Sequence, residues 1–218
     1  MGYNVAIDGP AGAGKSTIAK LVAKEKGYIY VDTGAMYRGL AIHFLEQGIA
    51  AEDTEQIIAA CEGANVTIKY EDGVQQIYLN DRNVTSRLRE EAVGNMASKS
   101  SAIPEVRAKL LDLQRSLAKT QDVIMDGRDI GTCVLPDADV KVYLTASVET
   151  RAKRRYDELQ AKGLSCDFDE IAKDIEERDH RDMTRETAPL KQAEDAVLVD
   201  SSDLSIDEVV KAIVALCK

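Results

Sequence analysis

The chain has 218 residues, 44% of them hydrophobic, with two Phe and no Trp, which predicts an aliphatic core large enough for one domain with insertions. Its formal net charge of −10 disfavours sequence-independent binding to DNA or RNA. The four cysteines lie far apart without a C-x-x-C pair, which favours reduced thiols over disulfides or a metal site. With no signal peptide and no apolar stretch long enough to span a bilayer, we expect a cytoplasmic protein without a membrane partner.

Five short apolar runs predict buried strands, because each is continuous rather than alternating, as in a parallel sheet that is covered on both faces. The runs are Asn4–Asp8, Tyr28–Asp32, Asp122–Asp126, Val140–Thr145 and Ala196–Asp200. Helical patterns lie between them. This alternation predicts an α/β fold with a doubly wound, five-stranded parallel sheet and right-handed crossovers.

The first strand leads into the phosphate-binding motif G-x-x-x-x-G-K-[ST], and a helical pattern from Thr17 to Lys26 follows. This strand–loop–helix context favours a phosphate site over a Gly-rich turn with a surface lysine. Lys15 is expected to reach the β- and γ-phosphates of a nucleoside triphosphate, and the Ser16 hydroxyl to hold Mg²⁺. The predicted ATP contacts are Gly9, Pro10, Ala11, Gly12, Ala13, Gly14, Lys15, Ser16 and Thr17.

Three helices and one hairpin are indicated by their apolar periodicity. The first helix is predicted to share one apolar face among Ile18, Leu21 and Val22. Period-two alternation between Val66 and Val84, with a turn at Glu71-Asp72-Gly73, predicts a small antiparallel β-hairpin in a lobe that covers about residues 60–100. Pro104 is expected in the first turn of a helix with the stripe Val106, Leu110, Leu113 and Leu117, and the last helix carries Ile206, Val209, Val210, Ile213 and Val214.

The residues that follow the strands suggest what is done with the triphosphate. The guanine-reading Asn-Lys-x-Asp of GTPases is absent, and the third strand ends in Asp126-Gly127-Arg128-Asp129 rather than in the Asp-Glu of motor and regulatory ATPases. Open α/β sheets bind ligands at strand ends, so Arg38 and Arg128 are candidates for a second anion site. Asp32 or Thr33 is expected to cap the second helix. Asp126 is either a strand-end cap or a residue near Mg²⁺.

A helical segment near the C-terminus places Arg178, Asp182 and Arg185 at i, i+4 and i+7, so one face would present two guanidiniums around one carboxylate. A solvated helix face is the alternative. Several arginines in addition to Lys15 indicate that the phosphoryl acceptor is itself a phosphate. An anionic acceptor needs cations to reduce repulsion, and guanidinium forks supply them well.

The basic cluster Arg151-Ala152-Lys153-Arg154-Arg155 precedes a loop tip at Lys162-Gly163-Leu164. It predicts a helical lid over residues 151–170 that closes on the transferring phosphates and excludes water, with Arg154 as an ATP contact. A solvated basic helix face is an equally open interpretation.

Four segments together resemble bacterial cytidylate kinases, in order and with matching spacing. They are Ile7 to Ser16, Asp32 to Arg38, Asp126 to Thr132, and Glu177 to Arg185. The resemblance implies ATP-dependent phosphorylation of CMP and dCMP with Mg²⁺. It also implies a P-loop core (1–40, 101–150 and 186–218), an inserted nucleoside-monophosphate lobe (41–100) and the lid.

By the same resemblance, Ser98, Arg107 and Asp129 would contact the cytosine, and Arg178 and Asp182 the sugar. Arg38, Arg128 and Arg185 would hold the acceptor phosphate, and Lys15, Arg128 and Arg185 would be catalytic. Thr33 stands where many relatives have Ser and supplies the same hydroxyl. A carboxylate at Asp129 can accept from the exocyclic amine of cytosine but not from the carbonyl of uracil.

Two alternatives stay open from the sequence. One is a kinase for another small acceptor such as UMP, AMP or shikimate. The other is a nucleotide-gated binding module that signals its ATP state through the lid, which the Arg178–Arg185 face disfavours because a sensor needs no second phosphate site. No heptad repeat or large apolar face is apparent, so a monomer is expected.

Overall fold

A computed structural model describes residues 2–218. Its strands and helices are, in chain order, β1 (Asn4–Asp8), α1 (Lys15–Lys26), β2 (Ile29–Asp32), α2 (Thr33–Glu46), α3 (Thr54–Cys61), β3 (Val66–Glu71), β4 (Val74–Leu79), β5 (Arg82–Asn83), α4 (Glu91–Ser100), α5 (Pro104–Thr120), β6 (Val123–Gly127), β7 (Val140–Thr145), α6 (Val148–Ala161), α7 (Phe168–Thr184), β8 (Val197–Asp200) and α8 (Ile206–Val214). A 3₁₀ turn spans Thr85–Arg87, and a π-helical turn spans Ile130–Val134. The five predicted strands are confirmed. Each observed strand end lies within one residue of the predicted end.

The main sheet has the strand order β2-β6-β1-β7-β8. Strand β1 is central and pairs in parallel with β6 on one side and β7 on the other. The chain therefore leaves β1 toward one edge of the sheet and later returns to fill the opposite edge. Such a reversal of strand order creates a crevice at the carboxyl ends of the strands, and the phosphate-binding motif follows β1 at this position. The predicted doubly wound parallel fold is confirmed.

The chain divides into two compact units, residues 2–30 with 121–218, and residues 31–120. In the first unit, apolar side chains of β1 and β7 pack with those of α1 and α8. Burial of these aliphatic side chains is the main stabilising contribution. Ile18 and Val22 of α1 are buried as predicted, but the prediction for Leu21 is wrong, because it is 39% exposed and Ala19 and Ala23 occupy the buried face instead.

The second helix pair of this unit, α6 and α7, has well-defined ends. The Ser147 side chain caps α6 by accepting from the Thr150 N–H, and the Asp167 carboxylate caps α7 by accepting from two N–H groups of its first turn. Between them, Gly163 adopts a φ of +71° in the predicted loop tip. Helix α8 begins with a capping box between Ser205 and Glu208. Ile206, which the apolar stripe of this helix included, is 54% exposed.

In the unit of residues 31–120, the predicted hairpin is present as β3 and β4, and the short β5 extends it to a three-stranded antiparallel sheet. Asp72 and Gly73 form the turn with φ values of +50° and +75°, the left-handed pair that suits a two-residue hairpin. Helix α5 buries Val106 and Leu110 as predicted. The stripe then continues through Gln114 and Ala118 rather than Leu113 and Leu117. Among residues 2–218, no helix is long and apolar enough to cross a membrane.

Candidate active site

The phosphate-binding loop connects β1 to α1, and its backbone geometry requires glycine. Gly9 approaches β7 so closely that a Cβ atom there would lie 1.9 Å from the carbonyl oxygen of Leu144. Gly12 has a φ of +77°, in the left-handed region that favours glycine. Lys15 is the first residue of α1, and its buried Nζ donates hydrogen bonds of 2.7 Å to the carbonyl oxygens of Gly9 and Pro10. The lysine head is thus folded back over the loop.

The electrostatic setting of Lys15 is that of a cation held in a confined site. Burial and the nearby Arg128 guanidinium lower the pKa of Lys15 well below its ordinary value of 10.5, while the Asp126 and Asp8 carboxylates oppose that shift. A further anion, such as a triphosphate, would favour the charged form of this lysine. The site is therefore suited to a ligand that brings negative charge.

Ser16 and Asp126 lie together where α1 begins and β6 ends. The Ser16 hydroxyl donates to Oδ2 of Asp126 at 2.8 Å, and the Tyr30 hydroxyl donates to Oδ1 at 2.9 Å. Asp126 is 4% exposed, so both carboxylate oxygens are fixed in direction. Hydroxyl and carboxylate oxygens are the ligand types that Mg²⁺ prefers. Residues 2–218 contain no group of three or more His, Cys, Asp or Glu side chains placed to hold a metal ion.

Asp8 fixes the segment that follows β6. Its two carboxylate oxygens accept hydrogen bonds from the backbone N–H groups of Ile130 and Gly131 at 2.8 and 2.7 Å. These two residues begin the π-helical turn directly after Arg128 and Asp129. The buried carboxylate of Asp8 thereby positions Arg128 and Asp129, two of the residues that the sequence predicts for acceptor binding. This role of Asp8 is missed by sequence reasoning, because its partners lie more than a hundred residues away.

Asp182 on α7 is the centre of the predicted cationic face. Arg128 donates from Nε to Oδ2 of Asp182 at 2.8 Å. Burial raises the pKa of Asp182, but the guanidiniums of Arg128, Arg178 and Arg185 outweigh burial and hold this pKa below its ordinary value of 3.8. The sequence predicts two guanidiniums around this carboxylate, and the structure adds Arg128 as a third.

Arg185 follows the last residue of α7 and is held by the next loop. Its Nε and Nη2 donate to the carbonyl oxygen of Ala188 at 2.9 and 2.7 Å. Ala188 has a φ of +49°, an unfavourable conformation for a residue that precedes a proline. Arg185 also lies 3.9 Å from an Oδ1 atom of Asp129. The predicted phosphate and cytosine contacts of this unit are thus neighbours.

The basic cluster at the start of α6 separates into two groups. Arg151 and Arg154 contact the rest of their unit, and the Arg154 guanidinium donates to the Ser201 carbonyl at 2.8 Å. Lys153 and Arg155 are exposed and pair with acidic residues of their own helix. The sequence gives no sign of this division, because the basic residues of the cluster look alike in sequence and differ only in what surrounds them in the folded unit.

A cavity of about 160 Å³ lies beside the phosphate-binding loop. It is lined by Ala13, Gly14, Thr17, Ile18, Arg154, Ser201, Leu204, Ile206 and Val209. Leu204 and Ile206 follow the carboxyl end of β8 and are 39% and 54% exposed. The place of Leu204, before α8, and of Ile206, its first residue, on the cavity wall is missed by the sequence prediction. Apolar residues after a strand end are the signal that could reveal it.

The remaining predicted site residues belong to the unit of residues 31–120. Thr33 is the buried first residue of α2, and the Asp32 carboxylate caps that helix by accepting from the Ala35 N–H. Arg38 lies 3.9 Å from Asp32, on the first turns of the same helix.

Ser98 and Arg107 complete the predicted acceptor contacts of this unit. The Arg107 guanidinium lies 5.7 Å from the ring centre of Tyr37 and donates to the Ser101 carbonyl at 3.2 Å. Ser98 lies on α4 and is partly exposed. The predicted contacts are therefore divided between the two units.

The family model for cytidylate kinase matches residues 5–218 of this chain. The chain belongs to the cytidylate kinase family. The cytidylate kinase of Caldicellulosiruptor saccharolyticus is 50% identical over 213 residues, which cover 98% of this chain and 94% of the relative. The cytidylate kinase of Exiguobacterium sp. is 50% identical, and the match covers 96% of this chain and 93% of the relative. The cytidylate kinase of Streptococcus pneumoniae is 47% identical, and the match covers 97% of this chain and 95% of the relative.

Membership of the cytidylate kinase family makes the protein a phosphotransferase and confirms the resemblance that the four motifs indicated. Among solved structures, a gluconokinase from Sinorhizobium meliloti has a TM-score of 0.51 at 14% identity and covers 98% of this chain and 90% of its own. An uncharacterized protein from Eubacterium ventriosum has a TM-score of 0.53 at 12% identity and covers 98% and 96%. At these identities the likeness shows a shared fold alone.

Proposed function

We propose that this protein transfers the γ-phosphoryl group of ATP to CMP and dCMP, giving ADP with CDP or dCDP, in the presence of Mg²⁺. The observation that carries this proposal is the cluster of Arg128, Arg178 and Arg185 around Asp182, in a chain of the cytidylate kinase family. Three guanidiniums are more than one carboxylate needs, and a second phosphate group would use the remaining positive charge.

On the donor side, the phosphate-binding loop would surround the β- and γ-phosphates with backbone N–H groups, and Lys15 would leave the loop carbonyls to contact them. The cavity beside the loop suits the adenine ring, because Ile18, Leu204 and Val209 supply apolar surface and Arg154 a cation on its wall. Arg154 is thereby assigned to the nucleotide through its location rather than through lid closure.

Ser16 and Asp126 fit a magnesium site by the chemistry of their donors. Mg²⁺ retains several waters and takes few protein oxygens in kinases, so one hydroxyl and one nearby carboxylate are sufficient. A bound Mg²⁺ would supply positive charge to offset that of the triphosphate. Ser16 would supply the direct contact, and Asp126 would orient the Ser16 hydroxyl through the hydrogen bond that the two residues share.

On the acceptor side, an oxygen of the CMP phosphate would attack the γ-phosphorus while the bond to the β-phosphate oxygen breaks. The attacking oxygen of the CMP phosphate is already anionic at neutral pH, so the chain needs to supply no general base. Arg38, Arg128 and Arg185 would neutralise the acceptor phosphate, and Arg178 and Asp182 would bind the sugar. At the edge of the cytosine, the Asp129 carboxylate would accept a hydrogen bond and the Arg107 guanidinium would donate one, and the Ser98 hydroxyl would also make a contact there.

The test is an ADP-release assay with ATP and Mg²⁺ and with CMP, dCMP, UMP, AMP or shikimate supplied in parallel. Efficient turnover with CMP and dCMP, and poor turnover with UMP, is expected. Equal or better turnover with UMP would overturn the role of Asp129. Turnover that does not depend on Mg²⁺ would overturn the role of Ser16. A cytoplasmic location and a monomeric state stay predictions, the second of which sedimentation measurements can test.

A further inference from the structure

Arg151 is an arginine in the interior of its unit. Its side chain is 4% exposed, although arginine is rarely buried unless it is paired. It lies in the first turn of α6, inside the cluster that the sequence assigns to a lid. Its neighbours Lys153 and Arg155 are exposed and bond within α6. The burial of Arg151 therefore calls for an explanation that the lid does not provide.

Three acceptors from three parts of the chain surround the guanidinium of Arg151. Its Nε donates to the carbonyl oxygen of Ala146 at 2.9 Å, just before α6. Its Nη1 donates to the carbonyl oxygen of Ala11 at 3.0 Å, within the phosphate-binding loop. The same atom lies 2.6 Å from Oδ2 of Asp179 on α7. One side chain thus joins the loop, the base of α6 and the middle of α7.

The contact with Ala11 matters because of the peptide unit to which that carbonyl belongs. In a trans peptide the C=O and the following N–H point in opposite directions. A guanidinium that holds the Ala11 carbonyl therefore also fixes the direction of the Gly12 N–H, one of the donors expected to bind phosphate. Gly12 has no Cβ to restrict this peptide, and its φ of +77° is one of several that glycine can adopt.

The stem of Arg151 reinforces this arrangement. A Cβ atom built on Gly12 would lie 3.3 Å from the Cβ of Arg151, so the arginine packs directly on the glycine. Asp179 in turn is 8% exposed and stands between Arg178 and Asp182 in sequence on α7. Through Asp179, the peptide of the phosphate-binding loop is connected to the helix that carries the predicted sugar contacts.

We propose that Arg151 and Asp179 are positioning residues, which orient the Ala11–Gly12 peptide of the phosphate-binding loop and join that loop to α7. Arg151 acts through the backbone and does not touch the transferred phosphate. The proposal rests on the proposed function only in taking ATP as the ligand of the loop. It does not depend on which acceptor the enzyme uses.

The test measures the affinity for ATP by calorimetry without acceptor, in Arg151→Lys, Asp179→Asn and the double variant. Lysine keeps the charge but lacks the planar fork that reaches several acceptors at once. We expect Arg151→Lys to weaken ATP binding about tenfold, the effect of losing about one hydrogen bond to a charged group. Asp179→Asn should weaken it in the same direction, and the double variant should be no weaker than Arg151→Lys within about twofold, because both substitutions act on one pair.

The matched control is Asp195→Asn. Asp195 pairs at 2.7 Å with Lys141, a lysine that is 8% exposed, so this substitution also breaks a pair with a largely buried cation. We expect it to leave ATP affinity unchanged. A purely structural role for Arg151 would instead lower the melting temperature of Arg151→Lys and Asp179→Asn and leave ATP affinity within about twofold in both, which would overturn the proposal.

Two precautions keep the result decisive. Asp179→Asn preserves the shape of the side chain and one acceptor oxygen, so it tests the pair even if Arg151→Lys does not fold. Wild-type protein is measured first: failure to bind ATP would overturn both the donor assignment and this inference. Binding of ATP without turnover of CMP would overturn only the acceptor that we propose.

Discussion

Arg128 donates a hydrogen bond from Nε to Oδ2 of Asp182 at 2.8 Å, so a predicted phosphate contact and a predicted sugar contact hold each other. Asp182 is 6% exposed, and an arginine next to a buried carboxylate is both oriented and partly neutralised by it. The pair is therefore preorganised. Arg128 already points toward the residues that would surround the acceptor, and part of its positive charge would neutralise a bound phosphate.

Asp182→Asn should weaken binding of the acceptor CMP and leave binding of the donor ATP nearly unchanged. The amide cannot accept from Arg128 as strongly as the carboxylate does, and it also loses the charge that attracts Arg178 and Arg185. We expect KM for CMP to rise about tenfold or more, with KM for ATP within about twofold. Steady-state kinetics with each substrate varied in turn provides the measurement. The control is Asp174→Asn on the exposed side of α7, and a rise in KM for ATP alone would contradict the assignment.

Asp129 allows a test of base selection. Asp129→Ala should lose catalysis and the discrimination between CMP and UMP, while ATP binding stays nearly intact. Asp129→Asn carries an amide N–H that can donate to the uracil carbonyl, so its ratio of kcat/KM for UMP over CMP should rise above that of the wild type. The exposed Asp137→Asn on the same connection serves as control. A strong loss of ATP affinity in either Asp129 variant would show that this residue serves the donor.

The parts of this fold that could be predicted from sequence are those set by local pattern. Strand β1 and strand β7 have the predicted bounds because their residues are apolar in continuous runs, and the hairpin turn has the predicted location because Asp72 and Gly73 tolerate left-handed conformations. The face of α1 was only partly predictable. Leu21 is as apolar as Ile18, and the packing of the sheet, rather than the periodicity, decides which of them is buried.

The candidate site was predictable to the extent that its residues lie next to strand ends or within a motif. Lys15 lies within the phosphate-binding motif, and Arg128 and Asp129 directly follow the end of β6. Arg151 and Asp8 could not be predicted, because the partners that give them a role are distant in sequence: Asp179 for the first, and Ile130 with Gly131 for the second. Side-chain burial of this kind is a property of the assembled unit and not of the local sequence.

Lys15→Ala should affect turnover. The buried ammonium donates to the carbonyl oxygens of Gly9 and Pro10 and would exchange them for phosphate oxygens whose charge grows in the transition state. Loss of one such contact typically lowers kcat about 10²- to 10³-fold, and we expect a fall of that size. Single-turnover measurement with saturating ATP and CMP separates this effect from binding. Lys24→Ala, on the exposed face of the same helix, should behave as wild type, and unchanged turnover in Lys15→Ala would contradict the role.

Asp8 predicts a pH dependence of stability. Burial raises the pKa of Asp8 to about 6 from its ordinary value of 3.8, and Asp129 adds to this shift. The N–H groups of Gly131 and Ile130 and the Lys15 ammonium oppose it. Because the pKa is higher in the folded state than in the unfolded state, the stability that Asp8 contributes is complete below pH 3.8 and is lost as the pH rises through about 6.

Asp8→Asn removes this titration and leaves the other carboxylates in place. The free energy of unfolding of the wild type should therefore fall relative to that of the variant by up to about 3 kcal/mol between pH 4 and pH 7. Urea denaturation of both proteins at several pH values in this range measures the difference, and contributions from other groups cancel when the two are subtracted. A difference that stays constant with pH would show that Asp8 is ionised throughout the range in the folded protein. Its two hydrogen bonds to Ile130 and Gly131 would then outweigh the cost of its burial.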